Sequence, residues 1–572
     1  MSGYRWIYPE KKEPLLHSII SEFNIHPVIA QILISRGFTD LEGIHEFLYA
    51  KLPSLYDPEL FADMDVAVNR VLQAVSKKQN ILIYGDNDVD GMSAAALLTE
   101  FLRSIGGSVF FDIPNRSSLK KSLIGDALEF ALKNNCALLI TVDCGITAAK
   151  EIQEVVEHGI DVIITDHHEP TSKIPHCIAT LNPKLINSTY PNRELTGVGV
   201  AFKLAHAIAN TLIESGQISP SQIDLKSYLD LVALGTIADM GALKGENRIL
   251  VRYGLKQMRK MKRVGLAKLF EISELEQGEL TPSDIASKIA PRLNSLGRIA
   301  DPIKGVELLL LHDAELAEKL ARELDLNNLK RQKIEREAAE DIEEHLFQHP
   351  EILKEKGIVL QSERWHPGII AILSARIAKQ TNRPTLVLSI EQGIGKGSLR
   401  TTPEFPLLPI LKENQDLLIN FGGHDFAAGL TIQEENIPEF KKRFLLSANK
   451  ILNEQDILSK LYLDAKIAFE ELTFDFMESL NLLEPFGNEN PHPILYCETI
   501  QTWPPKVVGK YHLKLFLEQN GRHLEGMAFC LADRRDEIRG KNIPLKIAFT
   551  PHINSFLNKT SIQLQIKDFQ LT

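Results

Sequence analysis

The sequence has little of what marks secreted or membrane-spanning proteins. Its 572 residues include only five cysteines and no CxxC pair, which argues against a disulfide framework and a structural zinc site. No run reaches the ~20 consecutive apolar residues that a membrane helix needs. The opening MSGYRWIYPEKKEPLL also lacks the apolar core of a secretory signal. We therefore expect a cytoplasmic protein.

Excess positive charge is missing as well. The net charge of −11 disfavours a protein that coats DNA along its length. An enzyme that grips one strand in a narrow cleft needs only local positive charge, so this class stays open. There is no internal repeat and no low-complexity tract. The length predicts three or four domains, because single hydrophobic cores stop growing near ~250 residues.

The hydrophobic periodicity predicts five segments of an α/β protein. Residues 1–60 look helical, and residues 61–310 alternate short β-branched strands with helices. That alternation is typical of a doubly wound parallel sheet. The charge-alternating stretch 311–350 predicts one long exposed helix, and 351–452 predict a smaller α/β unit. Strand-like alternation over 453–572 predicts a small β-barrel.

The sequence does have acidic and imidazole side chains directly after apolar runs. The runs are followed by Asp86, Asp88 and Asp90 in YGDNDVDG, by Asp143 in LLITVDCG, and by Asp166, His167 and His168 in VIITDHH. Each run is typical of a buried parallel strand, and the carboxyl ends of such strands meet in one crevice. Carboxylate oxygen combined with imidazole nitrogen suits Mn²⁺ as well as Mg²⁺. The recurrence predicts a metal-dependent phosphoryl-transfer site.

These acidic residues are open to other interpretations. YGDNDVDG imitates the start of a calcium-binding EF-hand loop, but its twelfth position is Leu97 instead of glutamate, and a strand precedes it. Calcium is therefore excluded. A simpler alternative is that the aspartates cap helices. Asp239, at the end of LVALGTIADM, fits either a helix cap or a ligand from the opposite wall.

The order and spacing of YGDNDVDG, VDCG, TDHH and TIADM resemble the DHH phosphoesterase superfamily. Further stretches narrow the resemblance to the RecJ family of bacterial single-strand-specific 5′→3′ DNA exonucleases: NPKLINSTYP, LTGVGVAFKLAHAI, IAPRLNSLGR, WHPGIIAILSARIA, GKGSLR, FGGHDFAAGL and LEPFGNENPHPIL. The resemblance extends from about residue 30 into the last domain. It implies a DHH catalytic domain, a DHHA1 domain and a C-terminal OB-fold.

The resemblance also implies roles for individual side chains. One or two Mn²⁺ or Mg²⁺ ions would be bound by Asp86, Asp88, Asp143, His167 and Asp239. Asp166 would orient the neighbouring imidazole, and His168 would contact metal or the scissile phosphate. The 5′ end and backbone of the DNA would be held by Arg116, Arg298, Ser398, Arg400, Gly422, Gly423 and His424. For GKGSLR we expect a glycine-rich turn whose backbone amides approach phosphate.

Aromatic and basic side chains share one predicted strand of the last domain. They are Tyr511, His512, Lys514 and Phe516, flanked by Lys506 and Lys510. Such a face on an OB-fold stacks bases and follows the backbone, although a solvated surface has the same pattern.

Two stretches depart from the family pattern. Asn87 stands where the family has an aromatic residue, which removes a packing group but no ligand. After IPNR, which ends at Arg116, the family has an acidic residue and a GYG segment where this chain has SSLKKSLIG. The second departure concerns recognition of the incoming 5′ end.

The sequence thus predicts an enzyme that hydrolyses single-stranded DNA from the 5′ end to 5′-mononucleotides in recombination and repair. One alternative is a DHH phosphodiesterase for short oligonucleotides or cyclic dinucleotides, which the N-terminal helical region and β-rich tail disfavour. The other is a catalytically silent replication scaffold, which the complete ligand set disfavours. The family's role implies a helicase and a single-strand-binding protein as partners and no membrane, and we expect a monomer.

Overall fold

The computed structural model describes residues 4–114, 125–275, 280–556 and 559–572. In those ranges no helix combines the length and apolar character that crossing a membrane requires.

The N-terminal segment packs on the C-terminal barrel. It comprises β1 (Arg5–Ile7), α1 (Glu13–Phe23), α2 (Pro27–Ser35) and α3 (Leu41–Tyr49). Ile29 and Leu33 of α2 share one hydrophobic core with Leu515 and Phe549 of the barrel. β1 also pairs in parallel with Lys460–Tyr462. The first and last parts of the chain therefore form one body.

A five-stranded parallel sheet forms the centre of the next part. Its elements in chain order are α4 (Met64–Ser76), β2 (Asn80–Gly85), α5 (Val89–Ser104), β3 (Ser108–Asp112), α6 (Gly125–Lys133), β4 (Cys136–Val142), α7 (Ala149–Glu157), β5 (Asp161–Thr165), β6 (Ala179–Leu181) and α8 (Gly197–Glu214). The strand order is β3-β2-β4-β5-β6, all parallel. The winding direction reverses between β2 and β4, and α/β sheets bind ligands at such a reversal, outside the carboxyl ends of the strands.

A helical layer continues from this sheet. It comprises α9 (Leu229–Ala238), α10 (Gly245–Met258), α11 (Val264–Ile272), α12 (Pro282–Asp284), α13 (Ala290–Asn294), α14 (Leu296–Ile299) and α15 (Ile303–Leu310). α9 is buried on all sides, and α5 packs against α8, α9 and α15. The small and apolar residues of LVALGTIA allow this close packing, so α9 holds Asp239, the residue that caps its C-terminus, in a fixed place.

The long helix α16 (Ala314–Gln348) connects this part to the second α/β unit. It has a buried stripe that includes Ala317, Leu324 and Ala339, so it is not exposed all round as expected. Its N-terminal half packs on α11 and its C-terminal half on the unit that follows. The small residues of the stripe explain why the charge pattern hid it, because charged side chains dominate the remaining faces.

The second α/β unit has a mixed sheet. Its elements are β7 (Ile358–Ser362), α17 (Ile370–Thr381), β8 (Thr385–Glu391), β9 (Ile394–Arg400), α18 (Leu407–Glu413), β10 (Leu418–Gly423), β11 (Ala427–Gln433) and α19 (Ile437–Ile451). The strand order is β10-β11-β9-β8-β7. GKGSLR lies inside β9 and pairs on both sides, so the expected glycine-rich turn is wrong. A Cβ on Gly397 would lie 2.9 Å from Leu386, Leu388 and Leu430, so this glycine serves core packing.

A closed β-barrel ends the chain. It is preceded by α20 (Glu454–Ile457), β12 (Lys460–Tyr462), β13 (Ala465–Lys466) and α21 (Phe474–Ser479), and formed by β14 (Leu495–Val508), β15 (His512–Gln519), β16 (Arg522–Ala528), β17 (Ile543–Phe556) and β18 (Lys559–Leu571). The order β14-β15-β16-β18-β17 closes because β17 also pairs with β14. Leu513, Leu515 and Leu517 point inward, as the alternation predicts. The predicted α/β fold class with a C-terminal barrel is confirmed.

Candidate metal centre and nucleic-acid cleft

Three neighbouring strands of the parallel sheet each end in an aspartate. The amides of Asp86, Asp143 and Asp166 each donate to a carbonyl of the next strand, at 3.2, 2.9 and 3.0 Å. The sheet ladder thus continues to these residues, and their side chains leave the same edge of the sheet. This edge lies at the reversal between β2 and β4, where a ligand site is expected.

The side chains at this edge form overlapping groups with metal-ligating atoms. In each group the ligand atoms lie within 4.8 Å of one another. The groups are Asp86, Asp88 and Asp143; Asp143, His167 and His168; and Asp90, His167 and Asp239. Asp143 belongs to two groups and His167 to two, so the five residues with proposed ligand roles form one continuous cluster.

Asp143 lies at the middle of the cluster in a strained backbone conformation. Its φ of 60° is in the left-handed region, which aspartate tolerates better than most residues. Among the described residues its buried Oδ1 accepts no hydrogen bond, although His167 Nε2 lies 3.1 Å from it. Gly197 is required beside it, because a Cβ there would lie 2.5 Å from the Asp143 Cβ. A buried carboxylate oxygen without a donor is suited to a cation.

Asp88 and Asp90 both cap helices. Asp88 Oδ1 accepts from the amides of Asp90 and Gly91, at 3.0 and 3.1 Å, at the start of α5. Asp90 accepts from the amides of Gly197 and Val198, at 2.7 and 3.0 Å, at the start of α8. The capping interpretation therefore holds for both. Asp88 still shares a group with Asp86 and Asp143, so capping and ligation are compatible there.

The two histidines have different partners. Asp166 Oδ1 lies 2.8 Å from His168 Nδ1, whereas it meets only the backbone amide of His167, at 2.7 Å. The second Asp166 oxygen accepts from the Ile146 amide at 2.9 Å. His167 Nε2 instead lies 3.1 Å from Asp143 Oδ1. His167 therefore belongs to the carboxylate cluster, and His168 belongs to an ion pair at its border.

The pKa values of the two rings move in opposite directions. Burial lowers the pKa of His167 to about 3, and the charge of His168 adds to this. Burial also acts to lower the pKa of His168, but the Asp166 carboxylate outweighs it and raises that pKa to about 9. His167 is thus neutral and able to bind metal through nitrogen, and His168 is a cation.

Asp239 completes the cluster from the end of α9. It is the C-cap residue of that helix, and its Oδ2 lies 3.7 Å from His167 Nε2. Burial and the negative charge of Asp88 raise the pKa of Asp239 to about 7. Burial and repulsion from Asp90 and Asp88 likewise raise the pKa of Asp143. Several carboxylates that resist ionisation together, beside a neutral imidazole, fit a divalent cation such as Mn²⁺ or Mg²⁺.

Lys184 is a residue of this site that the sequence interpretation missed. It follows β6 within Asn-Pro-Lys, and its Nζ lies 3.4 Å from Glu169 Oε1. Its charge acts on Asp239 and on His424 of the second α/β unit. The signal was present, because Lys184 follows an apolar run in the same way as the three acidic stretches.

Arg298 joins the catalytic part to the second α/β unit. Its Nη1 donates to the carbonyl of Gly368 at 3.1 Å, and the Asp88 charge acts on it. Asn294, in the same motif, accepts from the Val89 amide at 3.1 Å at the start of α5. The LNSLGR motif thus supports the turn that carries Asp88.

Ser398 and Arg400 lie at the end of β9. Arg400 Nη1 donates to Ser398 Oγ at 3.1 Å and to the carbonyl of Leu399 at 2.7 Å. Ser398 is buried, and its Oγ lies 3.4 Å from Ser374 Oγ. Burial lowers the pKa of Arg400, which has no carboxylate partner among the described residues. A half-buried guanidinium in this situation suits a phosphate oxygen.

Gly422 and Gly423 are the last two residues of β10, and His424 begins the turn to β11. Gly423 has a φ of 133°, and a Cβ there would lie 2.4 Å from the Ala427 carbonyl, so glycine is required. The His424 amide donates to the same carbonyl at 2.8 Å. After burial, the charge of His168 is the largest cause that lowers the pKa of His424. His424 therefore lies within electrostatic reach of His168, at the border of the carboxylate cluster. Arg116, the remaining predicted contact, lies outside the described residues.

Comparisons with known proteins agree with this architecture. The DHH family N-terminal domain matches residues 80–236, the DHHA1 domain 354–449 and the RecJ OB domain 463–568. The single-stranded-DNA-specific exonuclease RecJ of Bacillus subtilis is 34% identical over 574 residues, covering 99% of this chain and 71% of that protein. The chain belongs to the RecJ family.

Two crystal structures of RecJ from Thermus thermophilus match the fold. The complex with Mn²⁺ has a TM-score of 0.84 at 28% identity and covers 99% of this chain and 80% of that one. The complex with Mg²⁺ has a TM-score of 0.76 at 26% identity and covers 99% and 78%. The resemblance drawn from the motifs is therefore confirmed, and the expected ions agree with those in these RecJ structures.

Asn87, where the chain departs from the RecJ family pattern, is buried next to the LNSLGR motif. A Cβ on Gly297 would lie 2.3 Å from the Asn87 carbonyl. The close approach of these two backbones fixes the turn after β2 against the LNSLGR motif. Asn87 therefore takes part in packing through its backbone, whatever its side chain.

Proposed function

We propose that this RecJ-family enzyme hydrolyses single-stranded DNA from the 5′ end and releases 5′-mononucleotides in recombination and repair. The family membership makes it an exonuclease specific for single-stranded DNA. The proposed polarity and product rest on the proximity of the DHH sheet edge to cationic and imidazole groups of the DHHA1 unit. The His168 charge at the edge of the DHH sheet acts on His424 of the DHHA1 unit, and Asp88 and Arg400 both act on Arg298, so these groups lie near one another and suit a terminal phosphate.

We assign the metal-holding role to five residues. They are Asp86, Asp88, Asp143, His167 and Asp239; Asp143, which belongs to two of the groups, would be shared if two ions bind. Bound Mn²⁺ or Mg²⁺ supplies charge neutralisation at the phosphodiester and a lowered pKa of water. The orphan Oδ1 of Asp143 and the neutral ring of His167 support this assignment.

Side chains of the protein contact the scissile phosphate and bind the 5′ end. His168, held as a cation by Asp166, offers Nε2 to a non-bridging oxygen or to the leaving group. Arg298, Arg400 and His424 hold the 5′ end, and Arg116 is assigned there on the family pattern alone. Ser398 acts through the hydrogen bond it accepts from Arg400. Gly423, at the end of β10, permits the tight turn that presents His424, and Gly422 is assigned to the DNA contact on the family pattern alone.

The barrel would hold the strand beyond the catalytic cleft. Trp503 and Tyr511 are exposed on it, and lysines lie over both rings, Lys541 at 4.3 Å and Lys510 at 5.2 Å. Lys506 and Lys514 lie over Phe516 at 5.4 and 5.8 Å. Ring faces combined with lysines stack bases and follow phosphates without reading sequence.

The setting of this enzyme is also proposed. A monomer in the cytoplasm, working with a helicase that unwinds the substrate and a single-strand-binding protein, fits a nuclease that needs an open strand. Co-purification with a helicase and a mass measurement in solution test the partner and the monomer.

The experiment that tests the function is digestion of single and double strands labelled at either end, with Mn²⁺ titrated. We expect short products from the 5′ label first, only on single strands and only with metal. Loss from the 3′ label first would contradict the polarity. Asp143→Ala should abolish hydrolysis while the circular dichroism spectrum is kept, and near-normal turnover would refute the metal assignment.

The alternative of a phosphodiesterase for short substrates is tested by competition. A labelled long single strand is digested with a dinucleotide in excess. We expect the long strand to be preferred, because the barrel and the cleft both bind it. Preference for the dinucleotide would overturn the exonuclease proposal.

A further inference from the structure

Met240, the residue after Asp239, has a strained backbone conformation. α9 ends in a Schellman motif, in which the Gly241 amide donates to the Thr236 carbonyl at 2.9 Å and the Met240 amide to that of Ile237 at 3.2 Å. In this motif the residue directly after the C-cap adopts the left-handed conformation, and that residue is usually glycine. Here the residue is Met240, with a φ of 56° and a side chain that is 67% exposed. Packing of the methionine side chain therefore does not explain the conformation.

The loop around Asn488, which precedes the barrel, is hydrogen-bonded to the end of α9. The Asn488 side-chain amide donates to the Met240 carbonyl at 2.5 Å, and the Asn488 carbonyl accepts from the Leu243 amide at 2.9 Å. Gly487 lies close by, since a Cβ there would be 2.5 Å from Leu243 Cδ1. One asparagine thus binds the backbone on both sides of the turn. Strained residues persist only where such surrounding contacts fix them.

The loop itself is held rigidly. Asn490 is buried, and its amide donates to the carbonyls of Leu483 and Pro485, both at 2.8 Å. Its oxygen accepts from Arg36 of the N-terminal segment, which also donates to the Pro491 carbonyl at 2.7 Å. The loop is therefore anchored to the body formed by the two ends of the chain. It acts on the end of α9 as a fixed support.

We propose that Asn488 is a positioning residue for the metal site, because it holds Met240 in the left-handed conformation that aims the Asp239 carboxylate at the cluster. This inference rests on the proposed ligand role of Asp239. It gives the barrel-side body a role in assembling the metal centre, in addition to binding DNA. Without the side-chain hydrogen bond from Asn488, Met240 would relax and Asp239 would turn away from His167.

The test is Mn²⁺ affinity of the full chain, measured by electron paramagnetic resonance of free Mn²⁺. Asn488→Ala removes the side-chain hydrogen bond to Met240 and should weaken binding about tenfold, the effect of losing one such bond. It should raise by a similar factor the Mn²⁺ needed for half-maximal digestion, while turnover at saturating Mn²⁺ recovers. Glu489→Gln, which removes only the exposed ion pair with Lys244, is the matched control and should bind Mn²⁺ normally.

Rescue separates positioning from general damage. Met240→Gly should bind Mn²⁺ normally, and the Asn488→Ala/Met240→Gly double variant should regain most of the lost affinity, because glycine adopts the left-handed region without strain. Normal affinity in Asn488→Ala, or a loss that the double variant keeps, would overturn the proposal. Asp239→Asn distinguishes a failure of the ligand assignment from a failure of the positioning role of Asn488. Normal Mn²⁺ affinity in that variant would overturn the ligand assignment itself, and this inference with it.

Discussion

The Asp166 carboxylate and the His168 imidazole form an ion pair, with 2.8 Å between Oδ1 and Nδ1. The pair separates the roles of two adjacent histidines. His168 is held as a cation with a pKa of about 9, while burial keeps His167 neutral. The same carboxylate has its pKa lowered, since the hydrogen bond and charge of His168 outweigh burial.

Asp166→Asn should narrow the pH range of activity. Without the carboxylate the pKa of His168 falls from about 9 toward its ordinary value of 6.5. The cation is then lost as pH rises through about 6.5, so the rate should decline there, whereas the wild type keeps the cation to about pH 9. Single-turnover cleavage against pH measures this. His168→Gln should abolish that part of the profile, and an unchanged profile in Asp166→Asn would contradict a catalytic cation.

Asp239→Asn should remove part of the pH dependence of metal-free stability. The folded pKa of Asp239 is about 7, above the ordinary value of about 3.9. The folded state therefore binds the proton more tightly, and stability falls as pH rises from about 4 to about 7. With EDTA present, the variant should exceed the wild type at pH 8 by on the order of 1 kcal/mol, and less at pH 5.

Melting temperatures at both pH values, with and without Mn²⁺, check this. Mn²⁺ should raise the wild-type Tm more than that of Asp239→Asn, because the cation offsets the same repulsion. Equal pH slopes in the two proteins would show that the carboxylates do not repel one another.

Arg400→Ala should weaken binding to single-stranded DNA of every sequence by a similar factor. The guanidinium has no carboxylate partner among the described residues, so it is available for one phosphate. The slope of log affinity against log salt should become shallower by about 0.7, the value for one contact on a single strand. Fluorescence anisotropy with an uncleavable strand measures it. Arg322→Ala, at an exposed site already paired with Glu318, should leave the slope unchanged.

Trp503→Ala should reduce affinity for long strands only. Its ring is 57% exposed on the barrel and lies under Lys541. Losing one stacked base costs about 1–3 kcal/mol. Affinity for a 20-nucleotide strand should fall by roughly tenfold or more on that scale, and trinucleotide affinity should stay the same. Phe347→Ala, at an exposed aromatic on α16, is the control. Equal loss for both substrates would place Trp503 in the catalytic cleft.

The sequence by itself determined the elements and the chemistry at their ends. Hydrophobic periodicity and β-branched runs specify strands locally, so the positions of Asp86, Asp143 and Asp166 after β2, β4 and β5 were predictable. Parallel strands then require their carboxyl ends to share one edge. The RecJ motifs are also local, which is why the amino-acid sequence alone is enough to recognise the family.

Only the tertiary structure decided which groups meet. The Asp166 carboxylate meets the ring of His168 and not that of His167, because the directions of the two rings depend on packing. Asp90 caps a helix that begins more than a hundred residues later. GKGSLR became a strand because its glycines fit against leucines from both neighbouring strands.

The largest gap concerns contacts across the length of the chain. The N-terminal helices share a core with the barrel, and Asn488 reaches back to Met240 beside Asp239. Such pairs leave no periodic or motif signal in one sequence, since burial and hydrogen bonding between distant segments appear only once the chain has folded. The sequence thus determined which residues are the proposed ligands, and the tertiary structure decided what holds their side chains in place.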